Sequence, residues 1–193
     1  MRGGREMPEK MRDDEFDAVF AIMEQSFPKD EYRPYEEQRA LLADPRYTLY
    51  VHRAKGGEVD AFLAVWQFEA FAFLEHFAVT PRARNCGLGR QLLGALTERL
   101  EGGVCLEAEP PDTPIAARRV AFYRRAGFTY HDDPYVQPPI SAGKEPVPLR
   151  LMTHGFSEGA ADTSLIRRVL YREVYRVDAD EWTINNQIQE DEK

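Results

Sequence analysis

Apolar residues in the first third of the chain recur at helical spacing. Phe16, Val19, Phe20, Met23 and Phe27 form one stripe, which predicts an amphipathic helix from Asp13 that Pro28 and the Pro34 region terminate. The segment PYEEQRALLADP, opened by Pro34 and stopped before Pro45, reads as a second short helix. The period then changes. YTLYVHRA, the turn KGGEVD and AFLAVWQFEAF read as strands joined at glycines, and AFLEHFAV as a further strand. Leu88, Leu92, Leu93, Leu96 and Leu100 return to helical spacing, with Gly102 and Gly103 expected to supply a left-handed cap. VCLEAE is a strand, and a Pro-rich loop leads to a helix through AARRVAFYRRAGF. A strand around TYHD, a loop through YVQPPISAGKEP and a strand VPLRLM come next. SLIRRVLYREVYRV predicts a last helix before the acidic tail NNQIQEDEK.

This order implies an α/β fold: a mixed sheet flanked by helices, with middle strands joined by right-handed crossovers. Residues 1–12 are expected to be a flexible lead-in or a short edge strand, 13–153 the main domain, and 154–193 a helical extension with an acidic tail. At 193 residues the chain is long enough to bury one core. Its formal net charge of −8 disfavours nucleic acid as a partner, because a polyanion needs a basic face. No stretch resembles a secretory signal or a membrane span, and Cys86 and Cys105 lack metal-type spacing, so a cytoplasmic protein with free thiols and no membrane partner is expected. The adjacent carboxylates of His131-Asp132-Asp133 point in different directions, and no metal is assigned.

The chemistry concentrates in EHFAVTPRARNCGLGRQLLGAL, residues 75–96. A helix that begins in a glycine-rich turn aims unpaired N–H groups and its positive dipole end at one point, which suits an anion. Gly87 and Gly89 allow close approach, Asn85 tolerates a left-handed backbone, and Arg84 or Arg90 can add charge-assisted bonds. The P-loop needs a Gly-Lys-Ser/Thr ending, and the dinucleotide fingerprint needs a glycine where Leu92 stands.

Arg84-Asn85-Cys86-Gly87-Leu88-Gly89 resembles the pyrophosphate loop of the GNAT superfamily of acyl-CoA-dependent N-acetyltransferases, Arg/Gln-x-x-Gly-x-Gly/Ala after an apolar strand. FAVTPRAR before it resembles that family's strand and turn, and VAFYRRAGF its closing helix. The resemblance follows element order over about residues 12–153 and is specific over about 72–128. RRVAFYRRAGF, YVQPP and PLRLM are similar to a branch whose acceptor the likeness does not name.

The resemblance implies the GNAT fold, a mostly antiparallel sheet with a splayed parallel pair, and acetyl-CoA as cosubstrate without a metal. It implies transfer of the acetyl group to a primary amine of a small molecule or peptide by direct attack in a ternary complex. Phe77, Ala78 and Val79 would meet the pantetheine arm through their backbone, with the Val79 N–H on the thioester carbonyl. Arg84, Asn85, Cys86, Gly87, Leu88, Gly89 and Arg90 would hold the pyrophosphate. Tyr123 matches the family's general acid in position. Where many members carry a CoA-contacting Asn this chain has Ala116, and Arg118-Arg119 nearby read as a solvated helix face.

For the base, strict alternation puts Glu75 on one face with Phe73 and Phe77, where apolar surroundings would raise its pKa, and turns His76 to the other face. Glu107 is the alternative base, and Glu107 and Glu109 share a face of the next strand. The Cys86 thiol, at a helix N-terminus, is expected to have a lowered pKa. Asp30, Glu31, Glu36, Asp132 and Asp133 are candidates for attracting a cationic amine. The rival reading is a non-catalytic acyl-CoA sensor or interaction module, in which the C-terminal helix mediates homodimerisation or regulation.

Overall fold

The computed structural model describes residues 8–156, 161–178 and 182. Its elements run β1 (Glu9–Lys10), α1 (Phe16–Ser26), α2 (Tyr35–Ala40), β2 (Tyr47–Arg53), β3 (Val59–Gln67), β4 (Phe71–Val79), α3 (Leu88–Arg99), β5 (Gly103–Ala108), α4 (Pro114–Arg125), β6 (Thr129–Tyr130), β7 (Tyr135–Gln137), β8 (Val147–His154) and α5 (Thr163–Val169). A π-helical turn, Leu170–Tyr175, continues α5. The acidic tail from Asn185 lies outside the described residues.

The sheet order is β1-β2-β3-β4-β5-β8-β6, with β7 paired to β8. All pairings are antiparallel except β4 with β5. One helix layer lies on each face of the sheet. Phe16, Val19, Phe20 and Met23 of α1 pack with Phe62, Trp66 and Phe73 and with Ile166, Leu170 and Val174 of the C-terminal helix. Leu88, Leu92, Leu93 and Leu96 of α3 pack with Val120 and Tyr123 of α4 against Leu63, Val65 and Leu74. β3, covered on both faces, is buried from Val59 to Trp66, which is why it reads as an apolar run rather than an alternation. Each buried Val, Leu or Phe side chain of β3 contributes roughly 1.5–3 kcal/mol through removal from water.

Three sequence expectations change in detail. The α3 end is capped by Leu100 in extended backbone rather than by a glycine; Gly102, at φ +80°, turns the chain two residues later and Gly103 opens β5. YVQ, read as loop, is strand β7, whose short length and adjoining Pro138-Pro139 hide its pattern. The crossovers yield the single parallel pair that the resemblance implies, but the third middle strand, β6, is not adjacent to it, because β8 inserts between β5 and β6.

Gly103 sits under an aromatic ring. A Cβ there would stand 2.3–2.5 Å from ring carbons of Phe156, so Gly103→Ala should destabilise the protein by about 1–3 kcal/mol in urea unfolding, and a second change, Phe156→Ala, should recover part of the loss.

Candidate active site

Pairing of the parallel strands stops at Leu74 and Leu106. Beyond that point the strands diverge, and Glu75 and Glu107 are the first residues past the fork. The opening is a cleft of about 610 Å3 between residues 75–79 on one side and Glu107 to Glu109 on the other. The glycine turn lies along the same cleft, as do Tyr123 and Phe122 of α4.

The turn has the predicted backbone. Asn85 and Gly87 are left-handed, at φ 64° and 86°, and no side chain caps α3, leaving its first N–H groups for a ligand. A Cβ on Gly87 would meet nothing within 4 Å, so the space beside it is open. These features fit a pyrophosphate. Arg84 Nε donates to the Val79 carbonyl at 2.8 Å, tying the turn to the end of β4. Arg84, Asn85, Gly87, Leu88, Gly89 and Arg90 all line the cleft. Cys86 does not lie in that lining; its exposed thiol donates back to the Ala83 carbonyl at 3.0 Å.

Strict alternation fails along β4, and the reason is a bulge. The register with β3 shifts between Ala64 and Val65, where their partners are His76 and Leu74. Glu75 is therefore an extra residue without a partner on β3. The side chains of Glu75 and His76 both turn toward the α1 face, and Phe77 crosses to the α4 face, where its ring lies 6.3 Å from Phe122. His76 packs edge-on to Phe27, and its Nε2–H donates to the Glu31 carbonyl at 2.7 Å. Its Nδ1 stands 3.7 Å from Glu75 Oε2, too far for a hydrogen bond.

The expected raised pKa of Glu75 is also corrected. Its side chain is 2 % exposed and meets Arg33, itself 6 % exposed, at 2.7 Å. Trp66 Nε1 donates to its other oxygen at 3.2 Å. Burial pushes the carboxyl up, but the Arg33 charge, the neighbouring His76 ring and the Arg33 hydrogen bond more than offset it, holding the pKa at about 2. A carboxylate so stabilised is a weak base. Arg33 also donates to the Val174 carbonyl at 3.2 Å, so one guanidinium ties the segment after α1, strand β4 and the C-terminal helix.

Glu107 behaves in the opposite way. Tyr135 donates to one carboxylate oxygen and Tyr175, at 2.6 Å, to the other. Burial nevertheless raises its pKa to about 7, against the pull of those hydrogen bonds. Glu31, in the cleft wall, is likewise raised by burial and then by the charge of Glu109. Burial takes Tyr123 to about 12, so its phenol keeps its proton near neutrality. Arg118 and Arg119 line the cleft rather than a purely solvated face, and Arg119 holds Glu109 at 2.5 Å. Ala116, where the family's Asn is missing, gives its N–H to Thr113, the α4 cap. Of the acidic residues expected around the acceptor, Glu31 reaches the cleft, whereas Asp30, Glu36, Asp132 and Asp133 are not in its lining. Arg33, Tyr135 and Tyr175 have no signal in the sequence beyond Pro34, which forces Arg33 into extended backbone.

Arg33→Met leaves Glu75 buried without its partner and should cost about 3–5 kcal/mol in urea unfolding near neutral pH. The lowered pKa of Glu75 means that its stabilisation is present above about pH 4.5 and is lost as pH falls toward about 2. The gap between wild type and variant should therefore narrow on acidification, and adding Glu75→Gln should recover part of the loss.

Comparison with known proteins agrees with this geometry. The Acetyltransferase (GNAT) family profile matches residues 14–128. A protein of Bacillus subtilis (strain 168) named as an acetyltransferase, YjbC, is 30% identical over 106 residues, spanning 54% of this chain and about half (53%) of that relative. A solved GNAT-family structure from Bacteroides thetaiotaomicron, also described as an acetyltransferase, has a TM-score of 0.77 at 32% identity, covering 88% of this chain and 98% of that one. The ribosomal-protein-S18-alanine N-acetyltransferase of Escherichia coli shares the fold, with a TM-score of 0.59 at 21% identity over 80% of this chain and 96% of its own. On the profile match and the structural likeness over 88% of the chain together, the chain belongs to the GNAT family of acetyltransferases.

Proposed function

We propose that the protein transfers the acetyl group of acetyl-CoA to a primary amine by direct attack within a ternary complex. The observation that carries this reading is the fork of β4 and β5, which joins an anion-binding turn to a group of carboxylates through one cleft. The unpaired edge of Phe77, Ala78 and Val79 offers backbone groups to the pantetheine arm, with the Val79 N–H as donor to the thioester carbonyl. The N–H groups of the turn, with Arg84 and Arg90, hold the pyrophosphate. Tyr123, neutral and facing the cleft without a hydrogen-bond partner among the described residues, donates a proton to the departing thiolate.

Arginines reach the cleft from the turn and α4, carboxylates from β4, β5 and the segment after α1. That division supports a reading with the anionic cosubstrate at the first end and a cationic amine at the second, where Glu31, Glu107 and Gln137 form the wall. The acceptor class rests on those charges.

Thermal unfolding with acetyl-CoA, ATP and NAD, followed by thiol release with a panel of primary amines, tests the proposal. Acetyl-CoA should raise the Tm more than ATP or NAD does, and at least one amine should release thiol. Tyr123→Phe should keep the acetyl-CoA shift and lower kcat about 10²–10⁴-fold. Stabilisation without thiol release from any amine would favour the sensor instead, and turnover of acidic acceptors alone would refute the cationic class.

A further inference from the structure

The C-terminal helix lies beyond residues 14–128, which the family profile matches, yet it is built into the cleft. Ile166, Leu170, Tyr171, Val174 and Tyr175 are buried. Tyr171 donates to the Val136 carbonyl of β7 at 2.7 Å, Glu173 holds Arg46 at 2.9 Å, and the Val174 carbonyl receives Arg33. The helix is thereby fixed against β7, the residue that precedes β2, and the segment after α1. Its last turn brings the Tyr175 hydroxyl to Glu107, opposite the hydroxyl of Tyr135.

Resting on the reading of amine acetylation above, we infer that the C-terminal helix is a working part of the active site: Tyr175, with Tyr135, positions Glu107 as the group that takes the proton of the acceptor ammonium. The geometry favours Glu107 over Glu75 because the two carboxylates have different partners. Glu75 is neutralised by a buried guanidinium and bonded by an indole. Among the described residues, the hydrogen-bond partners of Glu107 are neutral phenols; it lines the cleft and sits at the fork. A carboxylate has about four lone-pair sites, so two phenols leave room for an incoming N–H. The phenols stay protonated, since burial and the Glu107 charge push both well above the ordinary tyrosine range.

The proton balance closes within these residues. The ammonium gives one proton to the Glu107 carboxylate, and the freed nitrogen lone pair forms the bond to the thioester carbonyl carbon. As the carbon–sulfur bond breaks, Tyr123 protonates the thiolate and regains a proton from that nitrogen, leaving the amide. Glu107 then releases its proton to solvent. The titratable groups around Glu107 are Glu75 and His76 on β4, Cys105 on its own strand, Tyr135 on β7, and Tyr171 and Tyr175 on the C-terminal helix.

The test uses the full-length protein with 13C-labelled glutamate carboxyls, alongside Glu107→Gln and Tyr175→Phe, with acetyl-CoA stabilisation checked for each to show that the site is folded. The resonance missing from Glu107→Gln should titrate at about 7 in the wild type and higher in Tyr175→Phe, because a bond that favours the ionised form is gone. With an amine that the wild type acetylates, kcat/KM should rise as pH increases through the same value. Glu107→Gln should lower kcat/KM by about 10²-fold or more and abolish that limb, while Tyr175→Phe should move the limb upward and retain most of the maximal rate. A Glu107 carboxyl titrating in the ordinary range, a Tyr175→Phe resonance identical to wild type, or a Glu107→Gln profile that keeps its limb would each overturn the inference. Absence of turnover with every amine would instead overturn the acetylation reading and, with it, the proton transfer, whatever the titration shows of the clasp.

Discussion

The structure of the site depends on one buried ion pair. Arg33 and Glu75 are separated by 42 residues along the chain and meet in an interior from which water is almost excluded. Neither charge could be there alone, because the desolvation of an isolated carboxylate or guanidinium far exceeds what packing returns. Their mutual neutralisation lets a charged residue occupy the bulge of β4. Through the Val174 carbonyl the same guanidinium fixes the distance between that bulge and the C-terminal helix. The carboxylate end of the cleft is thus shaped by electrostatics, whereas its opposite wall is set by the leucine packing of α3 on the sheet.

The bulge and the fork are two views of one constraint. β4 must pair with β3 along its whole length, yet it must leave β5 after Leu74. An extra residue at Glu75 accommodates the change in direction by adding local twist. It also reverses which side chains face which layer, so that Phe77 joins Phe122 and Tyr123 while Glu75 and His76 remain with the α1 layer. Backbone and side chains consequently serve different ends of the cleft.

This division explains what the sequence could say. The turn at Asn85-Cys86-Gly87 was legible because its conformation follows from neighbouring residues: left-handed backbone, a helix start, no capping side chain. The stripes on α1 and α3 were legible for the same reason, being set by period alone. The facing of Glu75 was not, since a bulge arises from pairing with a distant strand and leaves no local mark. Nor were the partners of the two carboxylates, as Arg33, Tyr135 and Tyr175 reach them only after the layers close. Identical residue types on adjacent strands thereby receive opposite proton affinities, a distinction that tertiary contact creates.

The π-helical turn at Leu170–Tyr175 carries a consequence for how the chain can vary. Such a turn behaves as an α-helix with one residue inserted. Deleting one residue within Leu170–Tyr175 would let the segment relax to α geometry with its flanks nearly in phase, whereas deleting one from the preceding α-helical turns of α5 would rotate Tyr175 by about 100° around the helix axis relative to the residues before the deletion. Ends of chains usually absorb insertions and deletions freely. In this protein the reading frame of a segment close to the terminus is coupled to a carboxylate more than sixty positions earlier, Glu107 to Tyr175 being 68 residues apart, so length changes there are constrained as they would be inside a core strand.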